Sequence, residues 1–369
     1  MALPTLLLQL TALRAPVDRR AVLSTAAAAT ASFQTQPAAS APAQGSVGAR
    51  VEELKALEKR AERSGAAPTA AEFWPGRLQG KPPPEPKVRL KDAAPPIVIF
   101  PGFGNDQIDY IAPNEQPREV GLVEALGRRG ASQVAVVPIA RTNWLNVAKG
   151  LSDPNFLIGK ATADGPTYGW YVAAAKKTVE EAVAARRAAK PQADPRVVLV
   201  GHSAGGWLAR ALMVSAGEQW SRDNIRGLVT LGAPHLTPPP EATDQTRGTI
   251  TDINTRMPGA YLSPEVFYVT VSSTKVVGAA EGDPAQRNGY TAYNLLLGRA
   301  EGVAGDGFVP REAAFLDGAT TLTLDCYHSG GGADPWPLDD WYGAERNVDA
   351  WLGAVAERLA KQDDAAAKA

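Results

Sequence analysis

Residues 197–210 read VVLVGHSAGGWLAR, and this stretch decides the fold. Its opening run of branched apolar residues predicts a buried strand, and the residues after Gly205 favour a helix. Ser203 stands between the two, flanked by Gly201 and Gly205, where a strand and the following helix must pass close together. This context predicts a nucleophile elbow that projects the Ser203 hydroxyl from the sheet edge. The alternative is an ordinary strand-to-helix turn that needs small residues.

The chain has 369 residues, 44% of them hydrophobic, which suffices for one large α/β domain with tails or for two small domains. A formal net charge of −1 gives no indication of a nucleic-acid or polyacidic partner. Cys326 is the only cysteine, so no intrachain disulfide can form, and with three histidines a structural zinc site is not expected. We expect neither a metal nor a cofactor. No apolar run is long enough to span a bilayer.

Residues 1–31 predict a targeting peptide, because the first 45 residues contain several arginines but a single acid, Asp18. An acid-poor start rich in Arg, Ser and Ala resembles an organelle transit peptide. The pair Arg19-Arg20 ahead of a stretch of small residues resembles a second, lumen-directing signal. We therefore expect a chloroplast or plastid location, with the thylakoid lumen as a further destination. A secretory signal and a disordered tail are the alternatives.

Residues 32–96 predict a short helix over 50–63 and then an extended, proline-rich linker. Residues 97–360 predict a catalytic domain, and residues 361–369 a disordered tail. Strands alternate with helices in the domain, which implies an α/β fold with a mostly parallel central sheet flanked by helices. The predicted strands are residues 97–100, 133–137, 196–200, 228–231, 266–271 and 320–324, and the predicted helices are residues 117–129, 168–190, 206–216 and 341–359.

Two connections, over residues 139–167 and 235–264, are too long for simple turns. We read them as insertions at the carboxyl-terminal edge of the sheet, where α/β folds bind ligands. Trp144 and Phe156 in the first and His235 in the second are therefore candidates to line a substrate pocket. The alternative for all three is ordinary packing.

A serine hydroxyl becomes a nucleophile when a base takes its proton and a third group orients that base. His328 is the preferred base, because the glycine-rich loop after the last strand can bring its imidazole back over the sheet edge. His235 at a strand end is the alternative base. His202, beside Ser203 in the elbow, has its side chain pointing elsewhere.

Asp306 is the preferred acid, because the glycines on either side let its carboxylate turn inward on a tight loop. Asp325, Asp317 and Glu301 are alternatives, and Asp306 could also cap a turn of its own backbone. An oxyanion hole needs backbone N–H groups beside the serine. The N–H groups of Phe103, in a glycine-rich turn, and of Ala204 are the candidate pair.

Four short motifs, residues 101–104, 201–206, 231–235 and 305–310, accompany three further ones at 153–155, 244–248 and 341–343. The first four resemble motifs of α/β-hydrolase lipases and esterases, a similarity that covers residues 95–360 and includes the chain order Ser, Asp, His of the triad. The similarity is greatest to the GPI inositol-deacylase-like and lipase-like group, and within it to plastid-targeted plant and algal hydrolases. It implies hydrolysis through an acyl-enzyme, with Ser203 as nucleophile, His328 as base, Asp306 as orienting acid, and Phe103 and Ala204 as oxyanion donors. The similarity to the plastid-targeted subgroup rests on the three motifs at 153–155, 244–248 and 341–343.

We therefore expect a serine esterase or lipase with a lipid-like or small ester as substrate, no nucleic-acid partner, no transmembrane segment and peripheral contact with a membrane. GPI inositol-deacylase-like activity, a thioesterase and an acyltransferase are alternatives that use the same triad. A further alternative is a non-catalytic, ligand-binding protein with a hydrolase fold.

Overall fold

The computed structural model describes residues 85–91, 94–113, 117–242, 244–330 and 339–368. The targeting peptide predicted over residues 1–31, the helix predicted over 50–63 and the linker up to residue 84 lie outside these ranges. Within them, no helix combines the length and the apolar character needed to cross a lipid bilayer.

Short apolar runs form the central sheet, because branched side chains pack well on both faces of a buried strand. Six parallel strands lie in the order β2-β1-β3-β4-β5-β8, and β6 and β7 form a separate antiparallel pair. The predicted parallel α/β architecture is thus confirmed. The strands are β1 (Ile97–Phe100), β2 (Val134–Val136), β3 (Val197–His202), β4 (Ile225–Leu231), β5 (Phe267–Ser273), β6 (Val276–Val277), β7 (Ala304–Gly305) and β8 (Thr320–Leu324).

Helices flank the sheet on both faces. The helix predicted over residues 117–129 is interrupted, because Gly121 is extended and separates a 3₁₀ turn at Arg118–Val120 from the α-helix that follows. Further 3₁₀ helices span Arg141–Ser152 and Arg311–Ala314. The α-helices are α1 (Ile108–Ile111), α2 (Leu122–Arg128), α3 (Pro154–Leu157), α4 (Gly169–Ala189), α5 (Ala204–Ala216), α6 (Glu218–Asn224), α7 (Thr249–Arg256), α8 (Pro284–Leu297) and α9 (Glu345–Lys368).

Helix α9 corrects two predictions. It begins at Glu345 instead of residue 341 and it continues to Lys368, so the disordered tail predicted from residue 361 is wrong for the residues described. The physical reason is Arg226 on β4, which is 5% exposed and needs acceptors. Asp363 forms an ion pair with its guanidinium, and Gln362 Oε1 accepts a hydrogen bond from Arg226 Nε at 3.1 Å. These contacts attach the last turns of α9 to the sheet.

Two apolar cores cover the two faces of the sheet. Val98 and Phe100 of β1 face the core shared with α4 and α5, whereas Ile97 and Ile99 face the core shared with α2 and α9. The chain order reverses between β1 and β3, because β2 and β3 lie on opposite sides of β1. Ligand sites in α/β folds lie at such a reversal, outside the carboxyl ends of the strands. The candidate site lies at this point.

Candidate active site

Ser203 occupies the tight turn between β3 and α5 with φ of 54° and ψ of −130°. A positive φ is strained for a residue that carries a Cβ. The surrounding glycines make the turn feasible, since a Cβ on Gly205 would overlap the carbonyl oxygen of Phe100 and a Cβ on Gly201 would overlap Gly206. This geometry is the strand–turn–helix predicted from residues 197–210.

Asp306 and His328 form a buried pair, although 22 residues separate them in sequence. His328 Nδ1 lies 2.8 Å from Asp306 Oδ2, and Asp306 is fully buried. The other carboxylate oxygen accepts hydrogen bonds from the backbone N–H groups of Phe308 at 2.9 Å and Val309 at 2.7 Å. The carboxylate therefore selects the tautomer with a proton on Nδ1, which leaves Nε2 able to take a proton.

The electrostatics of the site keep Asp306 ionised. Burial by itself would raise the pKa of its carboxyl group, but the neighbouring His328 and the N–H donors of Val309 and Phe308 lower that pKa below the usual value. Tyr342 adds a further donor, with its hydroxyl 2.9 Å from Asp306 Oδ2. A carboxylate with four donors is a fixed negative charge beside the imidazole.

Ser203 and His328 line the same cavity. The described residues include no hydrogen-bond partner for Ser203 Oγ, so the serine and the imidazole share the site without a direct bond in this conformation. Catalytic hydrogen bonds of this kind often tighten only when substrate is bound.

The candidate oxyanion donors lie beside the serine. A Cβ on Gly102 would come within 2.7 Å of Ser203 Cβ, so the backbone after β1 passes directly against Ser203. The N–H groups of Phe103 and Ala204 have no hydrogen-bond acceptor within the described part of the chain, and both residues line the cavity. Ala204 is also the first residue of α5, where N–H groups lack partners within the helix.

The cavity over Ser203 has a volume of about 690 Å³ and an apolar lining. One face of α8 forms part of its wall through positions 288, 291, 292, 295 and 296, which recur at helical spacing. Lining of this kind suits the hydrocarbon part of a ligand. The apolar wall includes Leu236, Pro238, Ile250, Leu295, Leu296 and Phe308.

Two of the predicted pocket residues lie elsewhere: the lining formed by the described residues includes neither Trp144 nor Phe156. Trp144 is fully buried and packs behind Phe103, with ring centroids 4.8 Å apart. Phe156 is 4% exposed and lies under Arg247. A long insertion needs apolar side chains to fix its own backbone, and both aromatic residues serve that packing.

His235, the third predicted pocket residue and the alternative base, is also outside the lining and 2% exposed. Its Nε2 lies 3.1 Å from Thr230 Oγ1, and its carbonyl accepts a hydrogen bond from Asn254. Burial and the nearby Arg210 lower the pKa of His235 well below its usual value. The imidazole is thus a neutral packing residue beneath the site.

The alternative acid Asp325 points away from the imidazole. Its side chain is 76% exposed and forms an ion pair with Lys275 at 3.1 Å. His202 is 1% exposed, with both ring nitrogens hydrogen bonded, one to Tyr110 and one to the backbone of His328. Of the predicted candidates, the structure brings together Ser203, Asp306 and His328.

No sequence pattern predicted the roles of Tyr110 and Tyr342, whose hydroxyl groups are hydrogen bonded to His202 and Asp306. Tyr342 lies in the motif 341–343 that supports the resemblance, but the motif does not indicate which residue the tyrosine hydroxyl contacts. Only the three-dimensional contact identifies its role. Within the ranges described, no group of three or more His, Cys, Asp or Glu side chains is placed to hold a metal ion.

Residues 167–293 match the family model described as the PGAP1-like alpha/beta domain. Among solved structures, the mature lipase BlEst2 of Bacillus licheniformis aligns at 13% identity over 74% of this chain and 96% of its own, with a TM-score of 0.43. A metagenomic carboxyl esterase aligns at 14% identity over 85% of this chain and 90% of its own, with a TM-score of 0.41. No curated protein sequence matches significantly. On its sheet topology and its elbow, the chain has an α/β-hydrolase fold, and residues 167–293 are similar to the PGAP1-like alpha/beta domain.

Proposed function

We propose that the protein is a serine esterase of the lipase type, which cleaves a lipid-like carboxylic ester through an acyl-enzyme. One observation carries the proposal: the Ser203 elbow and the buried Asp306–His328 pair meet in a single apolar cavity. Each part occurs in proteins without activity, but their convergence on one cavity is what acyl transfer requires.

In the proposed reaction, Ser203 Oγ attacks the ester carbonyl while His328 Nε2 takes the hydroxyl proton. The resulting oxyanion accepts hydrogen bonds from the N–H groups of Phe103 and Ala204, each worth about 3–4 kcal/mol in the transition state. His328 then gives the proton to the leaving alcohol. Water attacks the acyl-serine by the same steps in reverse, and Asp306 stabilises the imidazolium in both halves.

The apolar cavity supports a substrate with a hydrocarbon chain. The 3₁₀ helix Arg141–Ser152 supports the idea that the protein takes this substrate from a lipid surface. Because a 3₁₀ helix has three residues per turn, residues three apart lie on the same face. Trp144, Val147 and Gly150 on one face are buried, whereas Leu145 and Leu151 on the next are 62% and 43% exposed. Val147 also lines the cavity. We propose that this exposed stripe makes the peripheral membrane contact.

A vesicle assay tests the membrane contact separately from the chemistry. Leu145→Ser combined with Leu151→Ser should weaken co-sedimentation with phosphatidylglycerol vesicles while turnover of a short, soluble ester stays the same. Val277→Ser is the matched control, because Val277 is 42% exposed on β6, which lies outside the 3₁₀ helix. Equal vesicle binding by the stripe variant and the parent would contradict the contact.

Fluorophosphonate labelling and steady-state kinetics test the proposed reaction. The reagent should label Ser203, and Ser203→Ala should reduce turnover of a chromogenic ester by at least about 10³-fold. Ser152→Ala is the control, since Ser152 is exposed and its hydroxyl donates a hydrogen bond to the carbonyl of Lys149. Turnover by Ser203→Ala within tenfold of the parent would refute the assignment.

Product analysis separates the alternatives that share the triad. Release of free acid in water supports the hydrolase, whereas acyl esters formed from an added alcohol would indicate an acyltransferase, and preference for thioesters a thioesterase. An inositol-linked acyl ester is a further substrate to include. Saturable ester binding without any turnover would instead indicate a ligand-binding protein.

The location is proposed on the sequence of residues 1–31 alone. A fusion of residues 1–45 to a fluorescent protein should enter plastids, and fractionation should then show whether it reaches the thylakoid lumen. Entry of the fusion into the secretory pathway would favour the alternative signal.

A further inference from the structure

We propose that Tyr110 and His202 are positioning residues that join the oxyanion loop to the backbone of the catalytic histidine, so that the two halves of the site are held in register. The inference rests on the proposed esterase function and extends it to two buried side chains at the edge of the cavity, which act through the oxyanion loop and through His328.

The Tyr110 hydroxyl is a junction of three hydrogen bonds. It lies 2.9 Å from Gly102 N, 2.9 Å from Asn105 Nδ2 and 2.9 Å from His202 Nδ1. The first two partners belong to the turn that carries the N–H of Phe103. Asn105 is fixed further, because its carbonyl oxygen accepts a hydrogen bond from Trp144 Nε1 at 2.9 Å.

His202 continues the chain of hydrogen bonds toward the base. Its Nε2 lies 2.8 Å from the carbonyl oxygen of His328. The backbone N–H of His328 in turn donates to the carbonyl of Asp306 at 2.9 Å. His328 is therefore held at its imidazole by the carboxylate of Asp306, and at its backbone by the ring of His202 and the carbonyl of Asp306.

The proton directions in this chain have a single solution. The carbonyl of His328 can only accept, so His202 Nε2 must carry the proton. In a neutral imidazole Nδ1 is then an acceptor, and Tyr110 must donate its one proton to it. Both lone pairs of the Tyr110 oxygen remain for Gly102 and Asn105, which can only donate.

Because both side chains are buried, the loss of either one should disturb the other groups in this chain of hydrogen bonds. Tyr110 is fully buried and His202 is 1% exposed, so water cannot replace a lost partner. Burial, followed by the nearby His328, lowers the pKa of His202 to about 3, which keeps its ring neutral in the range where an esterase works. A ring with both nitrogens in buried hydrogen bonds and so little tendency to gain a proton is unsuited to act as the base, but it can hold its neighbours in place.

The test compares Tyr110→Phe, which removes the junction, with His202→Asn, which keeps an acceptor toward Tyr110 but cannot reach the His328 carbonyl. Each should lower kcat per titrated active site by about 10- to 100-fold while KM stays within about twofold, because oxyanion and base alignment act in the transition state. The second-order rate of phosphonylation of Ser203 should fall in parallel. The double variant should lose no more than the worse single variant, since both break one chain.

Tyr268→Phe is the matched control, because Tyr268 is a buried tyrosine whose hydroxyl bonds to Leu262 N outside the site. It should lose stability without losing kcat. Additive losses in the double variant, or a kcat of either single variant within threefold of the parent, would overturn the inference. If Tyr110→Phe does not fold, the kcat of His202→Asn decides alone. A parent that neither labels with fluorophosphonate nor cleaves any ester would instead refute the proposed function itself.

Discussion

Asp306 accepts four hydrogen bonds, and at the residue scale this separates it from Asp325. Asp306→Asn should lower ester turnover by about 10⁴-fold, because an amide cannot both fix the His328 tautomer and stabilise the imidazolium. Asp325→Asn should leave turnover near that of the parent, because its side chain lies in solvent beside Lys275. Steady-state kinetics on both variants, with circular dichroism to confirm folding, make the comparison. Collapse of activity in Asp325→Asn with normal turnover in Asp306→Asn would transfer the acid role to Asp325.

The two buried neutral histidines make the free energy of unfolding depend on pH. Burial lowers the folded-state pKa of His202 from 6.5 to about 3, and that of His235 falls well below 6.5 for the same main reason. Between these values the unfolded chain binds more protons than the folded one, so stability is lost as the pH falls below about 6.5. Each histidine should contribute about 1.4 kcal/mol per pH unit in that window.

Urea unfolding between pH 7.5 and pH 5.0 measures this effect, and the Asp306 carboxyl, whose pKa is lowered below 3.8, stays ionised throughout. His235→Gln keeps a side chain that can hydrogen bond toward Thr230 and has no proton to gain. It should therefore flatten the pH dependence by roughly the contribution of one histidine. An unchanged slope in His235→Gln would show that its imidazole is not buried neutral.

Residue roles differ in how far sequence can predict them. The position of Ser203 in a strand-to-helix turn was predictable, because the elbow constrains several neighbouring residues at once. The proximity of Asp306 and His328 was predictable from the glycines that flank Asp306 and that follow His328. Their catalytic roles remain predictions. Trp144 and Phe156 were misplaced for a physical reason. An aromatic side chain that lines a cavity and one that supports its wall have the same composition, and only the direction of the side chain separates them.

At the scale of elements, helix α8 should set the length of acyl chain that the proposed esterase accepts. Ala292 is a small residue on the face that lines the cavity, so Ala292→Trp should fill part of the 690 Å³ and shift selectivity in kcat/KM toward short esters. The control is Asn294→Trp, on the exposed side of the same helix. Kinetics with p-nitrophenyl esters of 4 to 16 carbons check this, and an unshifted preference in Ala292→Trp would place the acyl chain elsewhere.

Elements with a plain hydrophobic signal were predictable, and α8 was not. Strand β1 and the first four residues of β3 are continuous apolar runs of the kind that a buried parallel strand requires. Helix α8 has Gly289 in its middle and buries Tyr293 and Leu297 against β6 and the loop after β7. These two residues belong to a small apolar core, separate from the two that cover the sheet, which also contains Val303 and Val309. Because this core is formed by contacts between distant parts of the chain, the local sequence could not predict the helix.

At the scale of the whole molecule, helix α9 joins the end of the chain to the sheet. Truncation after residue 361 removes Gln362 and Asp363 and leaves the buried guanidinium of Arg226 without two of its acceptors. The free energy of unfolding should fall by about 1–3 kcal/mol. Truncation after Asp364 is the matched control and should unfold like the parent. Equal melting temperatures for the two truncated chains would show that the tail contributes nothing.

A chain selected for stability alone would not keep a serine at position 203. The φ of 54° suits glycine, and any residue with a Cβ holds that turn at an energy of about 1–3 kcal/mol. Ser203→Gly should therefore unfold at a higher temperature than Ser203→Ala, by roughly 1 kcal/mol in stability after the greater freedom of unfolded glycine is subtracted. Thermal denaturation of the two inactive variants gives the difference directly. On the proposed function, this strain is the cost of a reactive serine, and a relative without the chemistry would be free to carry glycine at position 203.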